Sequence, residues 1–212
     1  MKTYIKMIFL ALIIALAAIA CKERPTAKDP EKMAKDQNKA NLDHTNYSQD
    51  NYHREDSKQG MNQNNHNDKK YADIIVDVIS DQLYEIELAK TGKTRANSLR
   101  VREFATELEK HHTKRLQQLN ALAGQFNYAI PRNLSDSQWK DIQDIESTNS
   151  KKFDKKWIDE VISAHNKAVD ILIKGIDKTD HINIKNELNN TLQEVRSHLE
   201  SANYIKNNII NK

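Results

Sequence analysis

One cysteine, three prolines and four glycines in 212 residues leave little with which to build a disulfide scaffold or a sheet joined by tight turns. A lone cysteine has no internal partner, and no second thiol is present to complete a redox pair. Neither sign of charge dominates, with 33 Lys and Arg against 30 Asp and Glu and a formal net charge of +3, so the chain has no strong electrostatic case for nucleic acid. Part of the small excess comes from Lys2 and Lys6 at the very N-terminus. The chain also lacks a glycine-rich phosphate loop, a zinc-protease motif and a recognisable nucleophilic cysteine. Lys, Leu, Glu and Gln are well represented, and all four cost little in a helix.

Three regions follow in order. Lys2 and Lys6 precede Met7–Ala20, a run of 14 residues with no charge, Gly or Pro. That length suits the apolar core of an export signal and falls short of the roughly 20 residues that a membrane-spanning helix needs. Ala18-Ile19-Ala20-Cys21 then looks like the lipobox of a bacterial lipoprotein, cleaved before Cys21 and diacylated on it. Several acyl chains on one residue would anchor the chain to a membrane far more firmly than one. Lys22 follows Cys21, where an Asp would oppose outer-membrane sorting in some bacteria. The expected address is therefore the cell envelope, at the outer membrane facing the periplasm. Within residues 22–68 only Leu42 comes from Val, Ile, Leu and Phe. Such a segment buries too little apolar surface to offset the entropy of ordering, and it reads as a polar, disordered tether with a reach of roughly 35–40 Å. His44, His53 and His66 lie in it at spacings that fit no metal-ligand pattern.

From residue 69 the apolar residues recur at helical steps of three and four. A first helix is expected over 69–91, through Ala72, Val76, Ile79, Leu83 and Ile86, with Thr91-Gly92 as its stop. A second is expected over 94–125, a third over 150–177 and a fourth over 180–207. Ser135-Asp136-Ser137 could cap a short helix holding Trp139, Ile142 and Ile145 between the second and third. The pattern describes an all-α fold over 69–212, a four-helix bundle with a short extra helix in its longest connection.

Three histidines stand out by position. His112 points about 20° from the centre of the second helix's apolar stripe, His165 does much the same on the third, and His198 lies about 50° off centre on the fourth. Glu87 sits toward the stripe edge of the first helix. Imidazoles from three helices and a carboxylate from a fourth could converge on a transition metal such as Zn, Cu or Fe. The competing expectation is structural: buried histidines hydrogen-bonded to side chains, in a non-catalytic envelope module with a structural, stress-related or interaction role. His111 and His181 read as surface residues. Glu109-x-x-His112 has the spacing of a di-iron ligand pair, but Glu109 points about 80° from the stripe and no second pair exists. No enzymatic activity is expected, and no protein partner is named.

Several of these stretches also resemble a known family. Glu85-Ile86-Glu87-Leu88-Ala89, Phe104-Ala105 with His112, Ile130-Pro131, Phe153-Asp154 before Trp157, His165-Asn166-Lys167-Ala168-Val169 and Val195-Arg196-Ser197-His198-Leu199 with Ala202 occur in the family's order. Together they resemble the bacterial outer-membrane-protein family called domain of unknown function 4142. The resemblance implies a ferritin-like helical bundle in an exported protein and supplies no activity. The chain departs from the family pattern at His111, where an Asp is usual, at Trp157, where a Tyr is usual, and at Leu192-Gln193, where Leu-Pro is usual.

Overall fold

The structure is a computed structural model that describes residues 29–50 and 58–210, and within them the side chains of 29–44 and 68–210. The expected export signal and Cys21 lie outside the described residues. Six α-helices appear in order: α1 (Pro30–Asp50), α2 (Lys58–Arg95), α3 (Leu99–Gln125), α4 (Asp136–Glu146), α5 (Ser150–Lys178) and α6 (Ile182–Ile205), with a closing π-turn at Lys206–Ile210. No strand occurs among the described residues. No described helix is long and apolar enough to cross a membrane.

α2, α3, α5 and α6 form the bundle. α2 packs on α3, α3 on α6, α6 on α5, and α5 on α2. Two apolar clusters fill its interior, one at each end. The first holds Leu88, Phe104, Phe153, Trp157 and Ile205, and the second holds Ile75, Leu119, Leu172, Ile184 and Leu188. The order in which each helix visits the clusters gives its direction: α2 and α6 run toward the first, α3 and α5 toward the second. Every packed pair is therefore antiparallel, and the α3–α5 connection must travel the length of the bundle. α4 lies in that crossover, and Leu134, Ile142 and Ile145 bury into the first cluster. One long crossover among antiparallel helices is the ferritin-like arrangement.

Local chemistry sets the boundaries. The Ser135 hydroxyl accepts from the Gln138 backbone N–H and the Gln138 side chain accepts from the Ser135 N–H, a reciprocal cap that starts α4 as expected. Asn149 caps α5 by accepting from Lys152 N–H. α3 ends where Asn127 takes φ 56°, a left-handed value that Asn tolerates better than most residues.

Two expectations need correction. Gly92 does not stop α2, which continues to Arg95. A Cβ at Gly92 would lie 2.3 Å from Trp157 Cε2, so this glycine admits the indole rather than ending the helix. The segment 22–68 is also not all tether. α1 starts at Pro30 behind an Asp29 cap, whose Oδ1 accepts from Glu31 N–H at 3.0 Å, and it packs on α2. Its attachment is mostly polar. Asn38 is buried, donates to Ala129 O at 2.9 Å and accepts from Ala129 N–H at 2.6 Å. Lys35 bridges Glu31 and Asp77 of α2. A count of large aliphatic residues cannot register such a helix, because Ala34 is its only buried apolar residue among the described side chains.

Candidate metal centre

Between the two apolar clusters lies a polar layer. It interrupts each bundle helix at the same level: Gln82 and Glu85 between Ile79 and Leu88 on α2, His112 between Leu108 and Leu119 on α3, His165 between Ala164 and Ala168 on α5, and His198 between Val195 and Ala202 on α6. All five side chains are buried. The ring centroids of His112, His165 and His198 are 5.3, 5.0 and 5.5 Å apart pairwise. One ligand atom from each of the three lies within 4.8 Å of the other two. The three histidines singled out from the sequence are thus brought together.

Glu87 is not with them. Its carboxylate pairs with Lys90 at 3.1 Å on the outer side of α2. Glu85 occupies the layer instead, with Oε2 3.0 Å from His112 Nδ1 and Oε1 3.2 Å from His165 Nδ1. α2 explains the error. It touches α1, α3, α4 and α5, so it is buried almost all round and an apolar stripe does not define its inner face. The signal that could have found Glu85 is its spacing from Asp81, four residues earlier and also buried.

Hydrogen bonding fixes the tautomers. A carbonyl only accepts, so the Nδ1 of His165, 2.9 Å from Val161 O, carries the proton. His112 Nδ1 lies 3.0 Å from Gln82 Oε1 and likewise donates. Both Nε2 atoms are then bare lone pairs, and both are buried without a hydrogen-bond partner, as is His198 Nδ1. With the two N–H groups aimed at Gln82 and Val161, Glu85 sits against their edges without an aligned hydrogen bond. Burial, and then the nearby Asp81, push the Glu85 carboxyl well above the usual carboxylate range, and Lys167 offsets this in part. Burial lowers the imidazoles, His165 to about 3 and His198 to about 4, with His112 also well below its ordinary value. Neighbouring imidazoles reinforce this, so all three are neutral near pH 7.

The remaining residues fall into place around this layer. His111, expected at the surface without a role, stacks on His198 with centroids 5.2 Å apart, and its Nδ1 lies 2.9 Å from His198 Nε2. Glu109 turns to Lys93 at 2.8 Å, away from the histidines, so Glu109-x-x-His112 does not act as a pair. His181 precedes α6 and packs edge-on against Tyr71 and Phe126 in the second cluster's end of the bundle. His44 is exposed on α1, while His53 and the side chain of His66 lie outside the described residues.

The family model described as a domain of unknown function, DUF4142, matches residues 56–205. The chain belongs to that family. In this DUF4142 domain the stretches that carried the resemblance converge: Glu85, His112, His165 and His198 form the polar layer, and Phe104, Phe153 and Trp157 pack in the first cluster beside it. No curated protein matches the chain. Among solved structures it is similar to a DUF305 fragment from Deinococcus radiodurans, at 11% identity and a TM-score of 0.59, over 66% of this chain and 97% of that chain. At that identity the likeness is one of fold, and it agrees with the helical bundle described above.

Proposed function

We propose that the DUF4142 bundle is a non-catalytic receptor for a transition-metal cation, held at the cell envelope by lipid on Cys21. The observation that carries the metal reading is the set of three buried imidazole nitrogens, His112 Nε2, His165 Nε2 and His198 Nδ1, left without hydrogen-bond partners. A purely structural core would satisfy them, since an unpaired buried polar atom costs about 1–3 kcal/mol. Neutral imidazole suits Zn, Cu and Fe. A tetrahedral ion with bonds of about 2.0–2.1 Å needs nitrogens roughly 3.4 Å apart, and the three ligand atoms already lie within 4.8 Å of one another, so small ring movements suffice on binding. Gln82 and the Val161 carbonyl, which accept the Nδ1–H of His112 and His165, would then orient two ligands, and Glu85 beside both would ionise as the rings gain positive character.

The anchor rests on the sequence at Ala18–Cys21 and on the apolar run before it. Metabolic labelling with palmitate, in the wild type and in Cys21→Ala, tests the anchor; label retained by the variant overturns it.

Elemental analysis of the purified full chain tests the metal. Wild type is expected to retain a stoichiometric transition metal after exposure to Zn, Cu or Fe and gel filtration. His112→Ala/His165→Ala is expected to retain none. Equal, substoichiometric metal in both proteins refutes the receptor.

A further inference from the structure

The buried trio is closed to solvent, but one end of the histidine cluster is not. His111 and Glu194 have side chains that are 32% and 25% exposed, and His111 Nδ1 lies 3.7 Å from Glu194 Oε1. Together with His198 they offer ligand atoms that all lie within 4.8 Å of one another. His198 therefore belongs to two groups of three, the buried one and this outer one. Its two nitrogens are placed differently: Nε2 is 2.9 Å from His111 Nδ1, and Nδ1 is buried and unpartnered.

The local charge favours a cation at the outer group. Glu194 Oε2 accepts from Arg115 Nη2 at 2.7 Å and from Arg115 Nε at 3.1 Å, and Glu187 Oε1 accepts from Arg115 Nη1 at 2.8 Å. Two carboxylates thus face one guanidinium, which leaves one negative charge in excess and Glu194 Oε1 turned toward His111.

We infer that His111, Glu194 and His198 form a solvent-accessible loading site through which a divalent transition-metal cation reaches the buried trio. This rests on the receptor function proposed above. In the loading state the cation takes the Nε2 lone pair of His198, and the ring proton resides on Nδ1. In the seated state the cation takes the Nδ1 lone pair, and the proton resides on Nε2, which donates to His111 Nδ1. Cation and proton exchange sides of one imidazole, with the proton leaving Nδ1 and one returning to Nε2 from water. Neutral His198 has one lone pair, so the two sites fill alternately rather than together.

Stopped-flow uptake of Co(II) by the full chain, followed by its visible absorption, tests this. His111→Ala and Glu194→Gln are each expected to slow loading at least tenfold while reaching the same final stoichiometry as wild type. Glu187→Gln, which removes the excess negative charge but no ligand, is expected to slow loading less than either ligand variant does. Wild-type rates in both His111→Ala and Glu194→Gln overturn the loading site, and so does equal slowing by Glu187→Gln. Uptake that His165→Ala abolishes, with rates indifferent to His111 and Glu194, overturns the loading site and leaves the receptor standing. No uptake by wild type overturns both.

Discussion

The indole of Trp157 occupies the space that a side chain at residue 92 would fill, and its Nε1–H donates to Leu88 O at 2.8 Å. Gly92→Ala would place a methyl 2.3 Å from the ring and force the indole off that carbonyl. Overpacking costs about 1–3 kcal/mol, against which Ala regains up to about 1 kcal/mol of helix propensity. The expected outcome is a lower urea midpoint and altered Trp fluorescence. An unchanged midpoint shows that the ring can move without loss.

Glu85→Gln keeps the shape of the side chain and removes the carboxyl that can ionise beside His112 and His165 once a cation is seated. Partners at this position in metal sites are worth about 10–100-fold in affinity. Competition with a chelator is expected to show a loss of that size at preserved stoichiometry. A variant that binds as tightly as wild type would assign Glu85 to packing alone.

Asp81 gives the stability of the protein a pH signature. Burial raises its carboxyl from 3.8 to about 7, with Lys167 lowering it and Glu31 raising it by smaller amounts. A raised carboxyl is protonated in the fold while the unfolded chain has already lost its proton. Its contribution is therefore complete below about pH 4 and lost as pH rises through about 7. The depressed imidazoles of the trio have the opposite slope, stabilising above about pH 6.5 and less as pH falls toward 3–4. Comparing wild type with Asp81→Asn isolates the first term. The variant should gain on wild type by up to about 1.4 kcal/mol per pH unit between pH 4 and 7. Parallel stability curves for the two proteins would contradict it.

Asn38 is the fastening of α1, with both ends of its amide bonded to the backbone of Ala129. Asn38→Ala removes both partners of the half-buried Ala129 backbone, two hydrogen bonds worth about 1 kcal/mol each. Limited proteolysis should cut within α1 more readily in the variant while α2 to α6 stay protected. Uniform cleavage across the bundle would mean that α1 is integral to it.

Much of this architecture could be read from the chain. α3, α5 and α6 each bury one face, so their periodicity located His112, His165 and His198 correctly relative to the interior. The Ser135 cap was legible because its partners are three residues away. What escaped was everything decided by more than one neighbour. α2 is enclosed by four helices, which hid Glu85 among apolar residues on all sides. α1 holds on through Asn38 and Lys35, polar side chains whose partners are distant in sequence. His111 looked solvated because its own helix offers no apolar surroundings; its neighbour comes from α6.

The polar layer at mid-bundle has one more consequence, independent of any ion. A helix slid along its neighbours by one turn, about 5.4 Å, would push an imidazole or Glu85 into a stack of Leu, Ile and Phe and put an aliphatic group among histidines. Aliphatic layers alone would tolerate such slippage. The histidine waist makes it prohibitively unfavourable, and so acts as a notch that admits only one alignment of the four helices.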